Sequence, residues 1–297
     1  MRTYFDCIPC LIRQTVDSVR LATEDEQIRE QVIRETLCLI GGMDFHQSPP
    51  AMAQKIHRVI RRLTGAQDPY RELKRRFNRM ALDMYPELRQ RVAASADPFE
   101  TAVRLAIAGN IIDLGVKTGL AESQIEKAIT QSFTAPFHSD AVRELRNAIA
   151  SAQDILYLGD NAGEIVFDRL LVEYMPREKV TFVVRGQPVI NDATLEDARM
   201  VGLTDIVSII DNGSDAPGTI LENCSQEFRN RFEEADLVIA KGQGNYETLS
   251  DIDKDIFFIL KPKCLAVARR LDCEIGSLIL LSNKAELCSN KETGEGS

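Results

Sequence analysis

Apolar positions recur at steps of three and four along the first half of the chain and gather into short dense runs along the second, so two kinds of structure are expected. Met52, Ile56, Val59, Ile60 and Leu63 fall on one face of a helix. Asp68 followed by Pro69 predicts an N-cap and a first-turn proline for a helix running through Arg79 to Met84, with Pro86 ending it. Asp97-Pro98-Phe99-Glu100 repeats that signature with glutamate at the third position and predicts a helix to about Leu114, before Gly115. Further helices are expected at 11–22, 26–40, 122–132 and 139–152, and no convincing strand run interrupts them. Residues 1–152 therefore read as an all-helical domain.

After Gln153 the texture changes to β-rich runs at Ile155–Leu158, Val180–Val184, 206–210, 237–240, Ile256–Leu260 and 277–281, alternating with helical stretches. That alternation predicts an α/β class fold, a doubly wound and mostly parallel α/β/α sheet domain spanning 153–288. The polar end from Ser289 to Ser297 is expected to be disordered.

Composition narrows the classes. A chain of 297 residues with 44% hydrophobic and 27% charged positions lies in the ordinary globular range and has length for two domains. No apolar run reaches the roughly 18 residues of a membrane span, and MRTYFDCIPCLIRQ carries charges where a signal peptide needs an apolar stretch, so a cytoplasmic protein without a membrane partner is expected. Seven scattered cysteines suggest reduced thiols rather than a disulfide framework. The net charge of −9 opposes general nucleic-acid binding. Residues 55–91 nevertheless carry 11 Lys/Arg against 4 Asp/Glu. Their stripe of Arg58, Arg61, Arg62, Lys74, Arg75, Arg76 and Arg79 reads first as a solvated helix face and otherwise as an attractor for a phosphorylated ligand or RNA.

Three unusual polar clusters follow strand ends: Gly159-Asp160-Asn161-Ala162-Gly163-Glu164, Arg185 through Asp192, and Lys241-Gly242-Gln243-Gly244-Asn245-Tyr246-Glu247. In open α/β sheets ligands bind beyond the carboxyl ends of strands, so the three are expected to converge. Each by itself also reads as an ordinary turn or helix cap. Asp160, Asn161 and Asp192 are short oxygen donors suited to Mg²⁺ or Mn²⁺, and without His or Cys among them zinc is disfavoured. A helix starting after Gly163 would aim N–H groups at an anion. Lys241 would add a mobile positive charge, with Gly242 and Gly244 allowing close backbone approach and Asn245 in the same phosphate-binding cluster. The order of a Walker loop is absent, and no G-x-G-x-x-G follows a strand.

Taken with Cys7-x-x-Cys10, and with Gly109-Asn110 and Asp113, the segments GDNAGE, RGQPVIND and KGQGNYE resemble the damage-control phosphatase family, in its cysteine-bearing microbial branch, over nearly the whole chain. The resemblance implies a metal held by Asp160, Asn161 and Asp192, and a substrate pocket lined by Glu164, Lys241 and Asn110. It implies hydrolysis of phosphate monoesters of small metabolites, sugar phosphates among them, with Mn²⁺, Co²⁺, Ni²⁺ or Mg²⁺. Glu247 stands where the eukaryotic branch carries arginine, so that branch's sugar-phosphate preference does not transfer. The expected chemistry has the cation gripping a phosphate oxygen and orienting water, while Lys241 and the helix start at Gly163 neutralise charge. Asp160, Asp192 and Lys241 are thus the expected catalytic groups.

Asn110 and Asp113 also read as a hydrogen-bonded interdomain pair, and Cys7 and Cys10 as a metal half-site, a redox pair or buried structural thiols. His46, His57 and His138 share no catalytic spacing, and no Gly-x-Ser-x-Gly elbow is present. Two other readings compete: an S-adenosylmethionine-dependent methyltransferase on the same sheet, and an RNA-binding or scaffold protein using the basic stripe.

Overall fold

The periodic first half folds into α1 (Cys7–Ala22), α2 (Glu26–Gly41), α3 (Pro49–Thr64), α4 (Arg71–Ala93), α5 (Pro98–Ala108) and α6 (Ser139–Ser151) in a computed structural model that describes residues 1–109, 129–137 and 139–283. Asp97 caps α5 through the Glu100 N–H, as its sequence signature requires. Two boundaries depart from expectation in α4. The helix starts at Arg71 rather than Pro69, and it runs through Pro86 instead of stopping there. An interior proline costs about 3 kcal/mol. Beyond it, however, Leu88 and Val92 enter the main core, and burying each returns about 1.5–3 kcal/mol. Tyr85, next to the proline, is also tied to Glu173. The far end expected at Leu114, most of the helix at 122–132, and the end from 284 onward lie outside the described residues.

The second half supplies β1 (Ile155–Leu158), β2 (Val180–Val184), β3 (Ser208–Asp211), β4 (Leu237–Lys241), β5 (Ile256–Leu260) and β6 (Ile279–Ser282) in the order β3-β2-β1-β4-β5-β6. All neighbours are parallel except β5 and β6. β1, β2, β4 and β5 are buried end to end, as strands covered on both faces must be. The edge strand β3 begins two residues later than the apolar run at 206–210 suggests. Leu203 and Val207 are drawn into the core where the chain turns through the short 3-10 helix Leu203–Asp205.

The strands sort their side chains by alternation. Ile155, Tyr157, Phe182, Val184, Leu237 and Ile239 join one core with α4, α5, α6 and α7 (Glu164–Val172). Leu156, Leu158, Val183, Val238, Ala240 and Phe258 join a second with α9 (Gln226–Glu234), α10 (Gly242–Leu249) and α11 (Leu265–Arg270), after α8 (Leu195–Met200) on the first side. The first core therefore runs without a break from α4–α6 onto the sheet. α1, α2 and α3 keep a separate cluster of their own. No helix among the described residues is long and apolar enough to cross a membrane.

Helices α3 and α4 meet the sheet's loops partly through charge: in the basic stripe Arg58, Arg62, Arg76 and Arg79 are exposed, Arg61 and Arg75 are half-buried and Lys74 is buried. Five of its seven members are ion-paired: Arg58 and Arg61 with Asp215, Arg62 with Glu35, Lys74 with Asp68 and Asp197, and Arg75 with Glu196. Arg61 also donates to the Pro188 carbonyl at 3.0 Å, and Gln54 to Asp215 at 2.6 Å. Burial alone would raise the Asp215 pKa, but the hydrogen bonds from Arg58 and Gln54 hold it below its ordinary value. A lowered folded pKa adds stability above the unfolded value of about 3.9 and loses it as pH falls through the folded one. Asp215→Asn should therefore cost on the order of 2 kcal/mol near pH 7, less than a fully buried pair because Arg58 is half in water. Denaturant melts at pH 7 and pH 3 check this. The gap between wild type and variant should narrow at the lower pH, and an equal gap at both would refute it.

Candidate active site

The strand order places β1 beside both β2 and β4, with β1 and β4 flanking the switch point where ligands collect in such sheets. The chain leaving β1 at Gly159 is laced to the 185–194 segment by backbone bonds: Ala193 N–H to Asp160 O at 2.8 Å, Ala162 N–H to Asn191 O at 2.9 Å, and Arg185 N–H to Ala193 O at 2.9 Å. Asn161 and Asp192 pair as an isolated bridge. These bonds bring Asp160, Asn161 and Asp192 together although 32 positions separate the first from the last. Just before Asn191, Ile190 is held at φ +46°, a costly conformation for a β-branched residue. Packing of Ile190 with Val189 and Tyr70 holds it there.

Side chains then tie the three donors into one network. The Asn161 amide donates to Asp160 Oδ2 at 2.6 Å and Glu164 Oε2 at 2.9 Å, and its oxygen accepts from Asn191 at 2.9 Å. Arg185, buried at the end of β2, donates Nε to Asp192 at 2.7 Å, and its Nη atoms reach Thr219 and Asn245 at 3.3 Å. Asp160 receives less help. Arg185 Nη2 lies 4.0 Å from its Oδ1. Burial, then the charges of Glu164 and Asp192, raise its pKa well above the ordinary carboxylate range. Burial also raises Asp192, opposed by Arg185.

Lys241 differs from expectation. It is fully buried, and its ammonium donates to Ala106 O at 2.8 Å, Glu164 Oε1 at 2.8 Å and Asp168 Oδ1 at 2.5 Å. An ammonium has three donors, so this is a locked strut and not a mobile charge. Burial would lower its pKa, but Asp168 and Glu164 keep it above its ordinary value and charged. The N–H of Gly163 is likewise taken, by Asn78 Oδ1 at 2.7 Å, which corrects the picture of that donor aimed at an anion. Asn245 is also committed internally. Its amide donates to Lys241 O at 2.8 Å, and its oxygen accepts from Thr219 at 2.8 Å. Asn110 and Asp113 lie outside the described residues.

Several participants carry little or no signature of their own in the sequence. Asp168 stands one helical turn beyond Glu164 on α7, so the two carboxylates bracket Lys241 from one helix face. Tyr157 donates to Asp168 at 2.9 Å, and burial, opposed by Lys241, lifts the Asp168 pKa to about 7. The spacing of four from Glu164 was the available signal. Arg185 stood inside a recognised segment, but nothing local marks its partner. Thr219 and Asn78 arrive from remote loops with no local signature at all. Lys263, exposed after β5, marks the solvent-side mouth of the site: its backbone N–H donates to Gln243, next to Gly242 against Asp160, and its charge lowers the pKa of Asp160, Asp192 and Glu247.

The chemistry of the donor set fits a hard divalent cation. Asp160, Glu164, Asp168 and Asp192 contribute four buried carboxylates against the two buried cations Lys241 and Arg185. Fully ionised, the group would carry two negative charges more than those cations offset, and the raised pKa values of Asp160, Asp168 and Asp192 express that excess, which a divalent ion would relieve. Among the described residues no three His, Cys, Asp or Glu side chains gather as a metal cluster, so such an ion needs the Asn161 amide as its third donor. A 440 Å³ cavity beside Arg185 has walls that include Arg71 and Glu196 but none of the three oxygen donors. That cavity is therefore separate from the three expected donors.

Residues 3–279 match the damage-control phosphatase ARMT1-like domain. The chain is 37% identical over 281 residues to a damage-control phosphatase of Archaeoglobus fulgidus, covering 92% of this chain and 96% of that one. It is 35% identical over 292 residues to damage-control phosphatase PH1575 of Pyrococcus horikoshii, covering 97% and 100%. The crystal structure of that DUF89 family protein from Pyrococcus horikoshii superposes with a TM-score of 0.87 at 34% identity, over 95% of this chain and 99% of the other. The family match over residues 3–279, with relatives at 35–37% identity along almost the full length and a superposing structure, leads to one conclusion: the chain belongs to the ARMT1-like damage-control phosphatase family.

Proposed function

We propose that this protein is a divalent-metal-dependent phosphatase acting on phosphate monoesters of small metabolites, sugar phosphates included. The supporting observation is the crowding of four buried carboxylates against two buried cations where β1, β2 and β4 end, around an amide and two carboxylates that the backbone holds in register. Asp160, Asn161 and Asp192 would hold the cation, with Mn²⁺, Mg²⁺, Co²⁺ or Ni²⁺ as candidates. Bound there, it would polarise a phosphoryl oxygen and lower the pKa of a water.

The chain's own residues supply the rest. Arg185 orients Asp192 by its 2.7 Å bond and opposes the rise in its pKa that burial causes. Lys241 acts as a positioning residue, since it fixes Glu164 and through it the Asn161 amide. Glu164, next to both, is the candidate for orienting the attacking water. Lys263 supplies the outer positive charge that a phosphate dianion meets on entry, the role first expected of Lys241.

A phosphate-release screen over metabolite monoesters, with each of the four cations and with Asp192→Ala run in parallel, tests this reading. Release by wild type in the presence of metal, and a fall of about 10²-fold or more in the variant, is the expected result. Equal release from both proteins would remove Asp192 from the chemistry.

A further inference from the structure

Cys7 and Cys10 take no part in the site above, yet the fold places them beside it. Cys7 is the first residue of α1 and Cys10 lies one turn on, so the two thiols share a helix face. Cys7 is buried and Cys10 exposed. The start of α1 is poorly secured: Asp6 stands at the N-cap in helical conformation and makes no side-chain cap bond. The first bonds there are short turns, Cys7 N–H to Tyr4 O and Ile8 N–H to Phe5 O. Side chains three apart on a helix have Cβ atoms about 5–6 Å apart, and a disulfide needs about 3.5–4.5 Å. An uncapped first turn is where a shift of that size meets least resistance.

The surroundings connect this pair to the mouth. The charges of Glu247, Cys264 and Cys10 all act on the Cys7 thiol, which burial pushes above its ordinary pKa. Gln243 donates to Glu247 Oε1 at 2.7 Å and to Cys264 Sγ at 3.5 Å, and accepts the Lys263 N–H at 3.0 Å. Gln243 directly follows Gly242, whose backbone touches Asp160. The amino group of Met1, six residues before Cys7, donates to the Glu247 carbonyl at 2.9 Å. Hydrogen bonds thus run from the Met1 amino group, on the segment that leads into α1, through Glu247 and Gln243 to the Lys263 backbone beside the turn against Asp160, and Glu247 acts on Cys7 through its charge.

We propose that Cys7 and Cys10 form a reversible disulfide under peroxide, and that its closure disturbs the Glu247–Gln243–Lys263 chain at the mouth and slows turnover. The exposed Cys10 thiolate attacks peroxide, giving a sulfenic acid and hydroxide, which leaves as water. The Cys7 thiol then condenses with it: the S–S bond forms, the S–O bond breaks and a second water leaves. Two thiols are oxidised and one peroxide is reduced to two waters. A dithiol reductant restores both. Only the effect on turnover rests on the phosphatase reading.

Peroxide-treated and reduced full-length protein, compared by mass and by peptide mapping after thiol alkylation, tests the bond itself. A 7–10 linkage, absent in Cys10→Ser and reversed by dithiothreitol, is expected. Both thiols remaining alkylatable after peroxide, or a bond from either to Cys264, overturns the assignment. Phosphate release should fall in proportion to the fraction bridged and be insensitive to peroxide in Cys10→Ser. Undiminished release by fully bridged protein overturns the coupling. A reduced protein inactive on every monoester instead defeats the phosphatase reading, and the mapping result stands apart from it.

Discussion

Gly242→Ala is expected to abolish most of the activity while leaving the protein folded. Gly242 opens α10 at φ +81°, and a Cβ there would lie 2.0 Å from Asp160 Oδ2 and 2.3 Å from its Cγ. The helix start is poorly able to retreat. A Cβ on Gly244 would lie 2.2 Å from the Pro217 carbonyl, so that backbone is already in contact, and Asn245 ties Lys241 O to the Gly159 carbonyl. The Asp160 carboxylate must therefore swing away from Asn161 and Asp192. A misplacement of about 1 Å at a reacting centre costs about 10²-fold in rate. The left-handed backbone itself costs about 1–2 kcal/mol. Gly65→Ala is the control, because Gly65 has φ +72° and nothing within 4 Å of a Cβ. It should lose comparable stability and no activity. A Gly242→Ala enzyme with kcat/KM within about threefold of wild type would mean that the position of Asp160 does not govern the reaction.

The second large effect changes with the cation. Asp160→Asn should stabilise the metal-stripped protein, because it removes one carboxylate from a buried group of four that only two cations offset. Burial and the charges of Glu164 and Asp192 raise the Asp160 pKa, so its charged form opposes folding. For a raised folded value, the favourable contribution is complete below the unfolded pKa of about 3.9 and is lost as pH rises through the folded one. At neutral pH the substitution should therefore gain on the order of 1–3 kcal/mol. Mn²⁺ closes that gap or reverses it. Wild type should gain about 2.7 kcal/mol at a hundredfold excess over Kd, and the variant almost none. Thermal melts in chelator and in Mn²⁺ read both halves. Equal shifts in the two proteins on adding Mn²⁺ would show that Asp160 does not bind the ion.

The two experiments separate position from charge. Gly242→Ala keeps the Asp160 carboxylate and moves it, whereas Asp160→Asn keeps the shape and removes the charge. A site that depends on a cation requires both to fail catalytically, with opposite effects on the stability of the stripped protein.

What the sequence by itself determined is what local pattern encodes. Helical spacing around Ile56 and Ile60, the Asp97-Pro98 cap, and the apolar runs of β1, β2, β4 and β5 each specify a face or an end within one turn or a few residues. Position beyond strand ends likewise makes Asp160, Asn161 and Asp192 expected neighbours, because parallel strands share one carboxyl edge. Tertiary structure alone decided which charge meets which. Lys241 became a strut between Glu164 and Asp168, Arg185 took Asp192, and Arg58 with Arg61 took Asp215. It also carried α4 through Pro86, where burial of Leu88 and Val92 offsets a local preference for stopping. The physical reason is range: backbone propensity and periodicity act over a few residues. Desolvation and ion pairing depend on partners that are far away in the chain and become neighbours only once the sheet has closed.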